Sequence, residues 1–114
     1  MVEIFMLDEH HFHSIADATL MHLFDQIEPA YEAEDLEDLD MDEGILTIIS
    51  NTGQQFIVSK HGPSRQLWLA SPISGGLHFD YNHDDQCWEL ADGRTLKGVL
   101  QVDLEQCCGV KITF

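Results

Sequence analysis

Eight carboxylates crowd the thirteen residues from Glu32 to Gly44, EAEDLEDLDMDEG, and no basic side chain balances them. Carboxylate oxygens are hard ligands, so such a row can take cations of the magnesium, calcium or manganese type. It can equally dock against a basic protein surface. An open row gives weak, multiple and exchangeable metal sites, whereas a closed cage holds one ion tightly. Like charge at this density repels itself and works against the fold, which makes a compensating cation a reasonable inference. The alternative is a solvated face that serves only solubility. Asp38, Asp40 and Asp42 match the start of an EF-hand loop, but Glu43 stands where that loop needs glycine and Ile49 where it needs a bidentate glutamate.

A second group of ligand-type residues lies upstream. His10, His11 and His13 crowd the start of a predicted helix, and His13 precedes Asp17 by four residues, a spacing that shares one helical face. Glu9, His13 and Asp17 therefore form a candidate additional metal site, set against a plain polar helix start. No ligand role is assigned to His61, His78 or His83. Cys87, Cys107 and Cys108 are odd in number and lack C-x-x-C spacing, which suits reduced thiols rather than a disulfide framework or a zinc site. With no nucleophile-base pair, phosphate-binding glycine loop or zinc signature, the expectation is a binding protein and not an enzyme.

The chain of 114 residues is sized for one domain, residues 1–114, and its hydrophobic fraction of 44 % is enough for one core. Its formal net charge is −16, from 21 acidic against 5 basic residues. Nucleic acid and anionic membrane would both be repelled, leaving metal cations and basic protein surfaces as partners. Fourteen of the acidic residues lie between Glu3 and Glu43, and all the basic ones (Lys60, Arg65, Arg94, Lys97, Lys111) follow. No apolar run approaches a membrane span, and MVEIFMLDEHH has neither a basic n-region nor a cleavage-type segment, so a cytoplasmic location is expected.

The elements that must position these residues follow from periodicity. Phe12, Ile15, Ala16, Leu20, Leu23, Phe24 and Ile27 recur at helical spacing between His11 and Glu28, and Pro29 should end or kink that helix. From Leu39 the period turns toward two, with Leu39 and Met41 alternating with Asp38, Asp40 and Asp42. Strands are then expected at ILTIIS (45–50), QFIVSK (55–60), QLWLA (66–70), GLHFDY (76–81) and CWEL (87–90), each bounded by turn residues. Thr95 should cap a second helix with Leu96, Val99, Leu100, Leu104, Cys107 and Cys108 as its core stripe, although Gly98 costs that helix about 1 kcal/mol relative to alanine. Gly109 should end it, and residues 110–114 should pack back. Helix, antiparallel strands and helix imply an α+β, two-layer αβ sandwich with the helices on one face of the sheet. The other face then meets water. If Leu67 and Leu69 face the helices, Trp68 faces outward beside Gln66 and suits a protein partner; the reversed register would bury it.

GILTI, QLWLASPISGGLHFDY, CWEL and a helix opening FHSIAD together resemble the frataxin family, and in particular bacterial frataxins, in order over nearly the whole chain. The sequence departs from the bacterial pattern in Pro29, in a linker one residue longer between Glu28 and Glu37, and in SPISGG, which is closer to eukaryotic frataxins. The resemblance implies an αβ sandwich, iron (Fe²⁺/Fe³⁺) bound through carboxylates of the first helix and first strand, and regulation of iron-sulfur cluster assembly. It also implies two partners, a cysteine desulfurase and an iron-sulfur scaffold protein. Asp17, Asp25, Glu28 and Glu32 fall within an arc of about 80° on the first helix, if it survives Pro29. Asp38, Asp40 and Asp42 would continue that ridge along the sheet edge. The expected iron surface is Asp17, Asp25, Glu28, Glu32, Glu34, Asp35, Glu37, Asp38, Asp40 and Asp42, which would also meet a basic patch on the desulfurase; Gln66 and Trp68 would meet the scaffold. Other divalent cations fit the same carboxylates. A monomer is expected, and iron-dependent oligomers belong to the alternative of a ferroxidase or iron store. A metal-independent acidic adaptor for a basic protein is the other alternative.

Overall fold

The computed structural model describes residues 8–114. The reading of the N-terminus as lacking a leader rests largely on residues 1–7, Glu3 among them, which lie outside the described residues.

The first helix, α1 (Glu9–Glu32), begins two residues earlier than its apolar periodicity indicates, because Asp8 caps it: Asp8 Oδ1 accepts the His11 backbone N–H at 2.8 Å. Phe12, Ala16, Leu20, Leu23 and Ile27 are fully buried along one stripe. Of the two outcomes expected at Pro29, an end or a kink, the helix does not end there; α1 continues to Glu32. The reason is position. So close to the C-terminus a proline forfeits a single backbone bond, and its own carbonyl still accepts the Ala33 N–H at 3.0 Å.

Six strands follow: β1 (Leu36–Asp42), β2 (Ile45–Ser50), β3 (Gln55–His61), β4 (Gln66–Ser71), β5 (Gly75–Asn82) and β6 (Cys87–Glu89). They lie in the sheet in chain order, each antiparallel to the next. Each turn is short, so every strand pairs with its sequence neighbour and β1 is left as an edge. The second helix, α2 (Leu96–Cys108), is capped by Thr95, whose Oγ1 accepts the Gly98 N–H at 3.1 Å, and closed by Gly109 at φ 68°. That left-handed conformation is the one glycine adopts without strain.

Strand alternation fills the core. Leu46, Ile48, Phe56, Val58, Leu67, Leu69 and Phe79 are buried toward the helices and meet Leu96, Val99, Leu100 and Leu104. Burial of each such leucine, isoleucine or phenylalanine is worth about 1.5–3 kcal/mol, so this layer is the main stabilising term. Val110 and Ile112 are buried too, so the C-terminal segment packs back as expected. Among the described residues no helix is long and apolar enough to cross a membrane.

Candidate functional site

The acidic residues occupy the edge formed by α1 and β1, and the fold divides them. A β-bulge between Leu36 and Asp38 shifts the strand's alternation at Glu37. Beyond the bulge, Leu39 and Met41 stand opposite Ile48 and Leu46 on the helix side, and Asp38, Asp40 and Asp42 stand opposite Ile49, Thr47 and Ile45 on the open side. The strand carboxylates therefore share the helix-free sheet face, while those of α1 belong to the other layer.

Glu32, Glu34 and Glu37 come together where α1 passes into β1, lining an open recess of about 510 Å³ with Tyr31, Leu36 and Asn51. The junction is held by backbone geometry: Glu34 takes φ 65°, and Asn51 Nδ2 donates to the Glu34 carbonyl at 3.0 Å. Asp35 turns away from this recess and lines a separate groove with Pro29 and Lys111. Asp25 is exposed and Glu28 half-buried on α1. Among the described residues no three His, Cys, Asp or Glu side chains converge into a cage for an ion. Open, oxygen-only surfaces of this kind are chemically suited to hard cations held weakly.

Asp17 has a different environment. The Lys60 ammonium lies 2.7 Å from Asp17 Oδ1, with the lysine side chain 18 % exposed and the aspartate 57 %. The lysine stem crosses Gly44, where an added Cβ would collide with Lys60 Cε; at φ 77° this turn favours glycine for its backbone as well. His13 Nε2 and Glu9 Oε1 lie 4.0 Å apart on the first turns of α1. Asp17 thus faces a lysine rather than completing a set with these two.

On the helix-free face, Leu67 and Leu69 are buried and Trp68 points the other way, half-buried. Its indole is stacked between two imidazoles: His61 at a centroid distance of 3.8 Å and 12° between planes, His78 at 4.1 Å and 10°. Trp68 Nε1–H donates to Gln66 Oε1 at 3.0 Å, and Gln66 Nε2 donates to Asp80 Oδ1 at 3.0 Å. Gln66 and Trp68 are therefore parts of one connected surface. Sequence reasoning passed over His61, His78 and Asp80. Trp68 stands directly opposite His78, and His61 opposite Gln66, a register that single-strand alternation cannot supply.

Two further devices hold these surfaces in place. Trp88 is buried, and its Nε1–H donates to Thr19 Oγ1 at 2.9 Å, tying β6 to α1. Asp103 on α2 is 3 % exposed and accepts from Ser71 Oγ at 2.7 Å; the same oxygen accepts the Ile73 and Ser74 N–H groups and orders the SPISG turn. The cysteines are half-buried free thiols. Burial and a hydrogen bond with Cys107 push the Cys108 thiol up to about 12, and burial, with Glu89 and Asp85 nearby, raises Cys87. Neither environment favours a reactive thiolate.

The architecture is a two-layer αβ sandwich with an acidic helix-strand edge and an aromatic strip on its open sheet face. The frataxin-like domain model matches residues 5–110, and the chain belongs to the frataxin family. It is 42 % identical over 111 residues to the iron-sulfur cluster assembly protein CyaY of Pseudomonas fluorescens, covering 95 % of this chain and 96 % of that protein. Mitochondrial frataxin of Arabidopsis thaliana is 32 % identical over 110 residues, but this chain, 94 % of which is covered, spans 59 % of that protein's length. Among solved structures, Psychromonas ingrahamii frataxin superposes with a TM-score of 0.79 at 23 % identity, covering 92 % of this chain and 95 % of that one. Trimeric yeast (Saccharomyces cerevisiae) frataxin complexed with ferrous iron gives a TM-score of 0.71 at 28 % identity, covering 96 % and 94 %.

Proposed function

We propose that this protein is a cytoplasmic, non-catalytic iron-binding regulator of iron-sulfur cluster assembly with two working surfaces. The observation that carries the reading is the acidic edge itself: Glu32, Glu34 and Glu37 around one recess, with Asp38, Asp40 and Asp42 along the adjoining edge strand. Open carboxylates that form no cage among the described residues suit Fe²⁺ or Fe³⁺ held weakly and released readily, and they also suit a basic patch on a cysteine desulfurase. Membership of the frataxin family and the name of the bacterial relatives supply the pathway. The strip around Gln66 and Trp68 would contact the scaffold protein, because a half-buried tryptophan on an open sheet face is the residue type that anchors interfaces.

Each surface has its own test. Desulfurase affinity should fall steeply from low to high salt, since docking would rest on exposed charges. A salt-independent affinity would rule out the electrostatic contact. Trp68→Ala should weaken scaffold binding by about 1–4 kcal/mol while leaving the circular dichroism spectrum unchanged; unaltered binding would remove the strip from the interface. An iron-storing or ferroxidase assembly is the second reading, favoured by the trimeric, ferrous-complexed yeast neighbour. It requires iron-dependent oligomers and catalysed Fe²⁺ oxidation by O₂. A metal-independent adaptor would bind the desulfurase equally well with and without iron.

A further inference from the structure

We propose that His61 and His78 make the Trp68 surface a proton-gated docking site for a basic protein segment, competent while both imidazoles are neutral and disfavoured once they are protonated. This rests on the reading of the Trp68 strip as a partner surface. Three aromatic rings lie in one stack, His61 on one face of the indole and His78 on the other, so nothing can cover Trp68 without also covering both imidazoles. Histidine is the side chain whose charge changes near neutral pH, and covering an imidazolium with a partner removes hydration that a neutral imidazole needs far less.

The charge around the stack selects the partner. Asp80 on β5 and Glu89 on β6 are paired directly across the strands at one end of the strip. Asp85, in the turn between those strands, accepts from Asn82 at 3.2 Å, and Asn82 also donates to Glu89 at 3.0 Å. Cys87 shares that corner, with Sγ 3.9 Å from Glu89 Oε2. At the other end His61 Nδ1 lies 2.6 Å from Ser64 Oγ, and Arg65 is turned to the Gly62 carbonyl, its Nη1 donating at 3.1 Å. On this face β2 offers only Ile45, Thr47 and Ile49, while Lys60 is directed to Asp17 among the α1 residues. With neutral imidazoles the strip is an uncharged platform with a cluster of carboxylates at its β5–β6 end, complementary to an arginine- or lysine-bearing segment with an apolar side chain to cover the indole. Protonation adds two positive charges in the centre of that platform. The change both opposes a basic partner and requires two cations to be desolvated on docking.

The test uses the full chain and the iron-sulfur scaffold protein as probe, with affinity measured by calorimetry from about pH 8 to about pH 5.5, the range in which imidazole changes charge. Wild type should lose affinity about tenfold across that range, and the His61→Gln/His78→Gln double variant, which keeps planar polar groups without titration, should bind at a constant affinity. Equal losses in both proteins would overturn the gating and leave the docking surface standing. A wild-type affinity that rises on acidification, with the double variant flat, would overturn the basic-partner assignment in favour of an acidic one. Trp68→Ala binding as tightly as wild type at about pH 8 would defeat the docking reading itself, and the gating with it. In the free protein the Trp68 indole N–H resonance should move with the midpoints of the His61 and His78 ring resonances; an indole that ignores both would also overturn the proposal.

Discussion

Lys60 is the residue with the most particular role in the acidic half of the molecule. Its ammonium, 2.7 Å from Asp17, is a built-in counter-ion on the α1 side of the ridge, and an incoming cation would have to compete with it there. Lys60→Ala should release that carboxylate at a stability cost of up to about 1 kcal/mol, since one partner of the pair is largely exposed. In the variant, Asp17 should respond to Fe²⁺ at lower concentration than in wild type, read from its backbone amide shift. An unchanged response would show that the lysine does not hold the site. Of the residues on the open sheet face, Gln66 and Trp68 were legible from alternation in QLWLA once Leu67 and Leu69 are placed toward the helices, with the reversed register as the alternative. Lys60, His61 and His78 were not, because their contacts reach between strands or from strand to helix, and those distances depend on register and helix placement.

At the scale of elements, the amphipathic stripes of α1 and α2, all six strands, the Thr95 cap and the Gly109 stop were readable, because each is a local pattern with a local cause. Two features were hidden for the opposite reason. The bulge at Glu37 exists only as a relation between two strands, and it decides which face Asp38, Asp40 and Asp42 share. The turn of helix after Pro29 persists against local preference, with the Asp35 N–H bonded to the Ala30 carbonyl at 2.9 Å as the chain leaves it. Pro29→Ala would restore the missing backbone bond at an exposed site, at the expense of a freer unfolded chain. Stability should rise by about 1 kcal/mol, seen as a higher midpoint in urea. A lower midpoint would mean that the proline ring contributes more by packing in its groove than it costs the helix.

At the scale of the whole molecule the sandwich separates two kinds of surface. The helix-strand edge concentrates negative charge, the open sheet face presents the aromatic strip, and a buried layer between sheet and helices fixes one relative to the other. With a net charge of −16 on the whole chain, cations and basic protein surfaces are the partners favoured electrostatically at the first surface, and iron is the cation of the proposed function. The most direct measurement is an anaerobic Fe²⁺ titration of the free protein followed by ¹H-¹⁵N NMR. The account predicts shifts or broadening confined to Glu32, Glu34, Glu37, Asp38, Asp40, Asp42 and their neighbours on α1, with the strip around Trp68 unmoved. No perturbation along that edge at an iron concentration on the order of millimolar, where weak carboxylate sites should fill, would contradict it.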